Sequence, residues 1–317
     1  MNTSICITTF NEEGSIGPLL DSLVSQTKKA DEIVIVDGGS TDATASVISN
    51  YQLPISNKNP KIKFLISKGA TRSEGRNLSI ELAKNDIIAT TDAGCIAHKD
   101  WLKNITEPFN QDRVDISAGF YKMVGKSPEQ KAMSVFLGVT PRHFDINFLP
   151  STRSMAFRKS AWEEVGGFPE GRENSAEDTD FNYKAVKHGL NYARVKSAVV
   201  EWGMPENLKA FFTKIQSYAK WDVQYGIWWN PVQGLASHNI KALLVILRYL
   251  LGLGLLILSF WYPLLPYLLI CLFSYFVFAF RKVFKEFGNS RTALWGPILQ
   301  ISADLAVMSG FIKGIIG

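Results

Sequence analysis

The sequence predicts an α/β domain followed by a C-terminal α-helical membrane region. Two features lead to this prediction. Residues 1–100 alternate short β-rich runs with helical patterns, as repeated βαβ units on a largely parallel sheet do. Residues 242–280 contain one charged side chain, Arg248, which makes this stretch too apolar for an ordinary aqueous surface.

The alternating part resolves into individual elements. Buried strands are predicted at 4–9 and 32–36, a third and a fourth strand at 61–66 and 86–91, and helices at 16–24, 44–51 and 72–83. Polar or glycine-rich residues follow each strand. Because ligands of open α/β sheets bind at the carboxyl ends of strands, these short polar segments are the first candidates for a functional site.

The apolar stretch is too long for one membrane crossing and suits two. At ~1.5 Å per residue, a helix needs roughly 20 residues to cross a ~30 Å hydrocarbon layer. Pro263 and Pro266 mark a turn in the middle, so helices are predicted at 242–260 and 263–280. A pair of buried core helices is the alternative, but such helices would carry a polar face and this stretch has none.

Basic residues after the hairpin predict its orientation. Arg281, Lys282, Lys285 and Arg291 crowd a short segment, which the positive-inside tendency places in the cytoplasm. Two crossings then return the preceding domain to the cytosol, and nothing in the sequence argues for secretion. The predicted location is the cell (inner) membrane, multi-pass. Arg248 is expected within two turns of the first helix start, where it can snorkel to the headgroups or face a partner helix.

A helical pattern before the hairpin leaves two alternatives open. From 208 to 219 the apolar positions fall on one helical face, and Trp221, Tyr225, Trp228 and Trp229 follow. This arrangement fits an amphipathic helix on the membrane surface with an aromatic belt. It fits an ordinary core-facing helix equally well, because periodicity does not reveal whether the apolar face contacts lipid or the protein core.

A second segment with two alternatives lies near the C-terminus. Residues 293–312 are apolar except for Gln300 and Asp304, which are one turn apart on one side. The segment can form a third crossing or a helix lying in the membrane interface.

Composition narrows the set of partners. A formal net charge of +5 is mild, and the soluble part has no basic run with interleaved aromatic residues, so nucleic acid is not an expected partner. The positive charge is better suited to anionic lipid or phosphorylated substrates. Cys6, Cys95 and Cys271 are odd in number and scattered, which favours free thiols in a reducing compartment.

Two polar segments follow the first two strands. Residues 8–13 (TTFNEE) form a loop and a helix start with no chemistry of their own. In 37–42 (DGGSTD), the glycines allow a sharp turn and the residues after them can cap a helix. Asp37 projects from the strand end, where a carboxylate can accept hydrogen bonds from a base or ribose. The G-x-G-x-x-G pattern is absent, so hydride transfer with a dinucleotide is disfavoured.

Three further segments carry charged side chains. In 69–77 (GATRSEGRN), Arg72 and Arg76 can bind phosphate or simply solvate a helix. In 90–95 (TTDAGC), Asp92 follows a buried strand, and the segment is either a metal-binding corner or a turn. In 176–181 (AEDTDF), the helix dipole alone favours acids, yet Glu177 and Asp178 would point in different directions, so one can act while the other positions.

These segments together resemble the family-2 glycosyltransferases with a GT-A fold, over residues 1 to about 225. The matching pieces, in order, are TTFNEE, DGGSTD, GRN at 75–77, TTDAGC with Trp101 beyond it, SMAFRKSAWEEVGGFPE at 154–170, and AEDTDF. The resemblance implies a Rossmann-like mixed sheet with flanking helices. It also implies an inverting transfer of a sugar from a nucleoside-diphosphate donor.

The resemblance assigns donor-binding roles. Asp37 would hold the base or ribose of the nucleotide, with Thr9 and Glu12 on the rim and Arg76 nearby. Asp92 would be the metal-site aspartate that holds Mg²⁺ or Mn²⁺ against the diphosphate. A hard divalent cation with oxygen ligands suits this task, because the diphosphate gains charge as it leaves. The donor expected first is a UDP-sugar.

The resemblance places the acceptor chemistry in the acidic pair. Asp178 would be the catalytic base, and Glu177 its neighbour near the acceptor. An acceptor hydroxyl is a poor nucleophile until a carboxylate within hydrogen-bonding reach takes its proton. The expected acceptor is lipid-linked or membrane-proximal, so the lipid bilayer is also an expected partner.

The chain departs from the common family pattern in two places. The family often has D-x-D at the metal site, and here Gly94 replaces the second acid. Many processive members have Q-x-x-R-W, a spacing that this chain does not reproduce, so the transfer of a single sugar is favoured over polymerisation. Gln216, Tyr218 and Trp221 are weaker candidates for acceptor binding.

The expected organisation has four segments. They are a GT-A catalytic domain at 1–205, an amphipathic or interfacial segment at 206–240, a transmembrane hairpin at 241–281, and a basic loop with a third membrane-associated helix at 282–317. Two other functions compete. A nucleotidyltransferase would require a glycine-rich phosphate loop after the first strand, and TTFNEE is not such a loop. A non-catalytic membrane scaffold would not require the three aspartates Asp37, Asp92 and Asp178.

Overall fold

A computed structural model of the chain describes residues 1–51, 60–171, 176–228 and 237–317. These residues form two compact units. The first comprises Met1–Lys122 and His143–Gly203, and the second comprises Met123–Arg142 and Met204–Gly317. The first carries the sheet, and the second carries the long apolar helices.

The strands are β1 (Thr3–Thr9), β2 (Glu32–Asp37), β3 (Lys61–Ile66), β4 (Ile87–Thr90), β5 (Cys95–Ala97), β6 (Ile116–Val124), β7 (Met155–Arg158) and β8 (Tyr192–Gly203). The helices of the first unit are α1 (Ile16–Val24), α2 (Thr44–Ser49), α3 (Arg72–Leu82), α4 (Trp101–Thr106), α6 (Lys159–Glu164) and α7 (Glu177–Lys187). Those of the second are α5 (Pro128–Leu137), α8 (Leu208–Gln224), α9 (His238–Leu258), α10 (Leu265–Phe287), α11 (Ser290–Ala293) and α12 (Trp295–Ile316).

The eight strands form one mixed sheet in the order β3-β2-β1-β4-β7-β6-β8-β5. Strands β3, β2, β1 and β4 are parallel, and β7 runs antiparallel to both β4 and β6. Every residue of β2 and β4 is buried, as expected of parallel strands covered on both faces. The α/β class is confirmed, and the antiparallel insertion of β7 makes the sheet mixed.

The parallel register brings two strand ends together. Thr9 lies opposite Asp37, the last residue of β2, and Cys6 lies opposite Thr90, the last residue of β4. Because the three strands run in the same direction, the segments after β1, β2 and β4 emerge at one edge of the sheet. This edge is where the predicted donor residues are found.

Helix α3 begins close to that edge. Thr71 accepts a hydrogen bond from the Glu74 amide, and the Glu74 carboxylate accepts one from the Thr71 amide, so a capping box fixes the helix start. A Cβ on Gly75 would lie 2.5 Å from the Thr8 Oγ1, so only glycine allows the helix to approach β1 this closely. Arg76 follows directly, and its position is therefore set by a close contact between α3 and β1.

The second unit is organised around the pair α8 and α12. Phe211, Ile215 and Ala219 form the buried face of α8. A Cβ on Gly310 would lie 2.3 Å from the Gln216 carbonyl oxygen, so these two helices pack backbone against backbone. The apolar face of this segment is therefore a core-facing one. Trp229 of the predicted aromatic belt lies outside the described residues.

The hairpin helices α9 and α10 expose large apolar side chains over most of their length. In the part of the chain that the structure describes, three helical segments are long and apolar enough to cross a membrane: His238–Leu258, Leu265–Phe287 and Ser290–Ile316. Pro266 stands in the first turn of α10, where its missing amide costs no hydrogen bond. Helix α9 begins before the predicted start at 242, and α10 ends after the predicted end at 280, because polar residues continue the helix beyond the apolar run. At the turn, α9 ends before residue 260 and α10 begins after residue 263.

Arg248 lies deeper in its helix than predicted. The expectation of a place within two turns of the helix start is wrong, because α9 begins at His238, nearly three turns earlier. Arg248 donates to the Asp304 Oδ2 at 2.6 Å, so it faces a partner helix. Asp304 is buried and also accepts hydrogen bonds from Tyr249, Tyr275 and Gln300.

Candidate functional site

The site at the sheet edge begins with the first two loops, which hold each other in place. Asn11 has a left-handed backbone (φ 54°), and its side-chain oxygen accepts a hydrogen bond from the Thr41 amide at 2.8 Å. The Asn11 amide donates to the Ser40 Oγ at 2.8 Å, and the Glu12 amide donates to the Thr44 Oγ1 at 2.7 Å. The segments TTFNEE and DGGSTD therefore form one rim.

Three predicted donor residues sit on this rim. Thr9 is buried at the end of β1, and its Oγ1 has no hydrogen-bond partner within the described part of the chain. Asp37 is buried, and its carboxylate accepts hydrogen bonds from the amide and hydroxyl of Ser40, which close the glycine turn. The Glu12 carboxylate accepts a hydrogen bond from Ser15, which lies just ahead of α1.

The rim also carries an aromatic side chain that sequence reasoning missed. Phe10 is 56% exposed although it directly follows the buried strand β1. Its ring lies beside Gly38, at the turn that Asp37 closes. An exposed aromatic ring at such an edge offers a face on which a planar base can stack. The sequence could have indicated Phe10 by its position alone. It is an aromatic residue between a buried strand and a polar loop, where it has no apolar neighbour in the sequence to pack on.

Arg76 connects the two acidic segments of the site. Its Nη2 donates to the Asp92 Oδ1 at 3.1 Å, and its Nη1 donates to the Glu177 Oε1 at 3.0 Å. Arg76 is 2% exposed, so this guanidinium is shared between two carboxylates away from bulk water. Arg72 approaches the same Glu177 oxygen at 3.8 Å. The structure thus brings together three predicted residues from separate motifs.

The charges around Asp92 and Glu177 favour their ionised forms. Burial by itself raises the pKa of the Asp92 carboxyl, but Arg76, Arg153 and Arg72 together hold that pKa below its ordinary value. Burial opposes ionisation of Glu177 in the same way, and Arg76 and Arg72 again lower the pKa. Both groups are therefore carboxylates at neutral pH.

Asp178 differs from its neighbour. Its pKa is raised, first by burial and then by the negative charge of Glu177. Glu177 is 3% exposed and turned to Arg76, whereas Asp178 is only partly buried. The left-handed backbone of Ala176 (φ 82°) precedes the pair, at the point where α7 starts. One acid is engaged in an ion pair, and the other retains access and an increased proton affinity.

Packing explains why the remaining motif pieces occur together. The Asn77 side chain donates to the Phe168 carbonyl at 2.8 Å and accepts from its amide at 2.9 Å, which fixes the GGF turn. The Phe168 ring lies under the Arg76 guanidinium and stacks on Phe181 of α7 at 4.6 Å. GRN, GGFPE and AEDTDF are therefore parts of one packed assembly.

Arg153 is a second residue that the motifs did not identify. Its Nε lies 3.8 Å from the Asp92 Oδ2, and its guanidinium lies 4.1 Å above the Trp202 ring. Thr152 places its hydroxyl 3.5 Å from the Asp92 Oδ1. The short segment Thr152–Ser154 ahead of β7 carries both side chains. Only its place beside the 154–170 motif could have directed attention to it.

The three weaker acceptor candidates belong to the second unit. Gln216, Tyr218 and Trp221 lie on α8. The Gln216 side chain donates to the Ser309 Oγ at 2.8 Å and accepts from the Lys313 Nζ at 3.0 Å. Gln216 therefore helps to hold α8 against α12.

Asp92 is the carboxylate that the described residues offer to a divalent cation at this corner of the sheet. Among residues 1–51, 60–171, 176–228 and 237–317, no group of three or more His, Cys, Asp or Glu is arranged to hold a metal ion. Asp92 supplies hard oxygen atoms that are partly exposed at the sheet edge. Mg²⁺ commonly keeps several waters and takes one or two carboxylates plus substrate phosphates, so Asp92 fits such an ion when a diphosphate is present.

Comparison with protein families supports the resemblance seen in the motifs. The family described as Glycosyl transferase family 2 matches residues 4–164, and the one described as Glycosyl transferase family group 2 matches residues 134–282. The first match covers both loops of the rim and extends through Asp92 to α6. It covers half of the chain.

Two curated relatives have related sequences. The O-antigen chain rhamnosyltransferase RfbN of Salmonella typhimurium is 28% identical over 221 residues, which are 63% of this chain and 66% of that protein. The glycosyltransferase AglE of Haloferax volcanii is 27% identical over 177 residues, 52% of this chain and 55% of that protein. The matches therefore span between half and two thirds of these relatives.

Two solved structures share the fold. The mannosyltransferase PcManGT from Pyrobaculum calidifontis, in complex with GDP-Man and Mn²⁺, matches with a TM-score of 0.63 at 17% identity, over 96% of this chain and 86% of that one. Residues 1-349 of S. aureus TarS, in complex with UDP-GlcNAc, match with a TM-score of 0.53 at 22% identity, over 69% of this chain and 66% of that one. These likenesses confirm the GT-A type of mixed sheet, and with the family match they establish that this chain belongs to glycosyl transferase family 2.

Proposed function

We propose that this chain is a membrane-anchored inverting glycosyltransferase. It moves one sugar from a nucleoside-diphosphate-sugar to a hydroxyl of a lipid-linked or membrane-proximal acceptor. The observation that carries this proposal is the network in which Arg76 joins Asp92 to Glu177, directly before Asp178. Family membership supports the reaction class.

The mechanism starts from the difference between the two adjacent acids. Asp178 is the base, because its raised pKa makes it the better proton acceptor and its side chain keeps access. It takes the proton of the acceptor hydroxyl while that oxygen attacks the anomeric carbon from the side opposite the diphosphate. Glu177 acts as a positioning residue. Its ion pair with Arg76 fixes the start of α7, and its charge raises the proton affinity of Asp178.

The rim formed by the first two loops binds the donor nucleotide. Phe10 offers a stacking face for the base, and Asp37, Thr9 and Glu12 offer polar atoms for the base and ribose. A UDP-sugar is the donor expected first. TarS binds UDP-GlcNAc and PcManGT binds GDP-Man, so a screen should include both bases.

Asp92 is the residue proposed to hold Mg²⁺ or Mn²⁺. When bound, the ion would neutralise part of the charge that develops on the leaving diphosphate. With one protein carboxylate, affinity for the ion should be weak in the free protein and much stronger with nucleotide present. Tight binding of Mg²⁺ to the nucleotide-free protein, measured by calorimetry, would count against this assignment.

The second unit is proposed to anchor the enzyme in the cell (inner) membrane, with the catalytic unit in the cytoplasm. The exposed apolar side chains of α9 and α10 support anchoring. The acceptor proposal is supported by two relatives whose names specify the O-antigen chain and poly(ribitol-phosphate), namely the O-antigen chain rhamnosyltransferase RfbN and the poly(ribitol-phosphate) β-N-acetylglucosaminyltransferase TarS. The proposed functional segments are the catalytic domain at 1–205, the amphipathic or interfacial segment at 206–240, the transmembrane hairpin at 241–281, and the basic loop with a third membrane-associated helix at 282–317.

A donor panel tests the reaction class. Purified enzyme in detergent is incubated with UDP-, GDP- and dTDP-sugars plus a membrane lipid extract, and released nucleoside diphosphate is measured. A glycosyltransferase releases the diphosphate, whereas a nucleotidyltransferase given nucleoside triphosphate and sugar phosphate releases pyrophosphate. A membrane scaffold releases neither. If soluble glycans serve as readily as the lipid extract, the proposal of a lipid-linked acceptor fails.

Membrane topology is tested by thiol labelling. A Lys285→Cys variant in a background without the three native cysteines is treated with a membrane-impermeant maleimide in right-side-out and inside-out vesicles. We expect labelling in inside-out vesicles only, because Lys285 lies in the last turn of α10, on the proposed cytoplasmic side. Labelling in right-side-out vesicles would place this end of the hairpin outside the cell and contradict the orientation.

A further inference from the structure

Arg153 occupies an unusual environment for a charged side chain. Its guanidinium lies 4.1 Å from the Trp202 ring centre and 5.4 Å from that of Tyr121, while the two rings pack edge to face at 6.1 Å. Its Nη1 also donates to the Ser151 Oγ at 2.8 Å. A guanidinium stacked on aromatic faces is held in a defined orientation while its N–H donors remain in the plane of the group.

The two arginines at Asp92 differ in how their charge is used. Arg76 is buried and forms hydrogen bonds with two carboxylates, Asp92 and Glu177, so its charge is already compensated. Arg153 is 18% exposed, and its 3.8 Å approach to Asp92 is an ion pair longer than a hydrogen bond. Of these two arginines, Arg153 has the more exposed side chain, and its charge acts on Asp178 as well as on Asp92.

The absence of a second acid after Asp92 suggests a role for the positive charge of Arg153. Asp92 is followed by Ala93 and Gly94, so the corner has one carboxylate where a pair could bind a cation more tightly. A leaving diphosphate nevertheless needs positive charge close to its oxygens. A guanidinium can supply that charge, because its planar fork matches two phosphate oxygens at once.

We infer that Arg153 binds the diphosphate of the donor and stabilises the charge that forms on it during transfer. This inference rests on the proposed function and adds a diphosphate-binding residue to it. As the bond between the anomeric carbon and the diphosphate oxygen breaks, its electron pair moves onto the diphosphate beside Arg153. The acceptor oxygen forms the new bond to that carbon, and its proton passes to Asp178.

The test compares ligands that differ only in the second phosphate. Binding of UDP, GDP and dTDP, each against its own monophosphate, is measured by calorimetry on the full-length protein in detergent with EDTA. In wild type, the recognised diphosphate should bind more tightly than its monophosphate. In Arg153→Ala this preference should fall by about 10- to 100-fold, the range of a charge-assisted hydrogen bond to an ionised group.

Three further variants separate binding from folding. Arg153→Lys keeps a charge but not the fork or the stacking, so it should restore only part of the preference. Trp202→Leu removes the aromatic support and should weaken diphosphate binding while leaving monophosphate binding unchanged. Arg113→Ala is the matched control, because Arg113 is exposed and its Nη2 donates to the Gln111 Oε1 at 3.4 Å, on the surface. It should behave as wild type.

The outcomes distinguish this inference from the proposed function. If wild type binds no nucleoside diphosphate either in EDTA or with Mg²⁺ or Mn²⁺ added, the proposed function fails. If wild type binds one and Arg153→Ala keeps the full preference for it over the monophosphate, the role of Arg153 is overturned while the function stands. If Arg153→Ala weakens the monophosphate and the diphosphate equally, Arg153 acts on the fold of the site, and the inference is again overturned.

Discussion

Arg76 and Glu177 form a buried ion pair, with the Arg76 Nη1 3.0 Å from the Glu177 Oε1. The two residues are 101 positions apart in the sequence. The pair joins the start of α3, which is fixed on β1, to the start of α7, which carries the proposed base. The geometry of the acceptor side therefore depends on a side chain from the donor side.

Loss of Arg76 should destabilise the first unit. Arg76→Met leaves two carboxylates, Asp92 and Glu177, without their main partner, and an unpaired buried charge costs about 3 to 5 kcal/mol. Denaturant unfolding in detergent, followed by tryptophan fluorescence, measures the change. The double variant Arg76→Met with Glu177→Gln should recover part of the loss. If the double variant is no more stable than Arg76→Met, the coupling inferred from the ion pair is absent.

The charge of Glu177 should set the pH dependence of activity. Because the pKa of Asp178 is raised by burial and by Glu177, the acidic limb of the kcat/KM profile should lie above the ordinary aspartate pKa of ~3.9. Glu177→Gln removes a like charge and frees Arg76, and both changes lower the pKa of Asp178. The acidic limb should then move to lower pH. A shift to higher pH, or none, would contradict the assignment of Asp178 as the titrating base.

Removal of the Asp178 charge should stabilise the fold although it lowers activity. A carboxyl whose folded pKa is above its unfolded value destabilises the protein when it is ionised, and this cost disappears once pH falls below the unfolded pKa. Asp178→Asn should therefore raise the thermal unfolding midpoint at pH 7, and the difference from wild type should shrink as pH falls. An unchanged or lower midpoint at pH 7 would show that the carboxylate is well compensated in the fold.

Close packing of α8 and α12 should depend on Gly310. In Gly310→Ala the new Cβ would lie 2.3 Å from the Gln216 carbonyl oxygen, so the helices must separate, at a cost of about 1 to 3 kcal/mol. The matched control is Gly254→Ala on α9, where nothing lies within 4 Å of the new Cβ. Thermal unfolding in detergent should show a lower midpoint for Gly310→Ala alone. Equal midpoints would mean that α8 and α12 are not in direct contact in solution.

The sequence predicts the parallel half of the sheet well. A short apolar run such as 32–36, bounded by turn residues, is typical of a parallel strand that is buried on both faces of the sheet. The later strands β6, β7 and β8 were not predicted. Their pairing depends on contacts between segments that are distant in the sequence. The antiparallel position of β7 between β4 and β6 therefore has no local sequence pattern that would predict it.

The candidate site was predictable as a set of motifs and not as a network. Asp92 and Asp178 stand in recognisable segments, and their relation through Arg76 and Glu177 appears only when α3 and α7 are packed. Arg153 has no motif signal, since its role follows from stacking on Trp202, 49 positions away in the sequence. Side-chain relations across the sheet are set by topology, which the local sequence does not encode.

The central claim is that Asp178 is the base of a nucleotide-sugar-dependent transfer. It is tested most directly by the rate of nucleoside diphosphate release in Asp178→Asn, compared with Asp180→Asn, whose aspartate lies on the same helix and pairs with Lys184. Asp178→Asn should lower the rate by roughly 10² to 10⁴-fold while donor binding is retained, and Asp180→Asn should remain close to wild type. Turnover by Asp178→Asn at the wild-type rate would contradict the account.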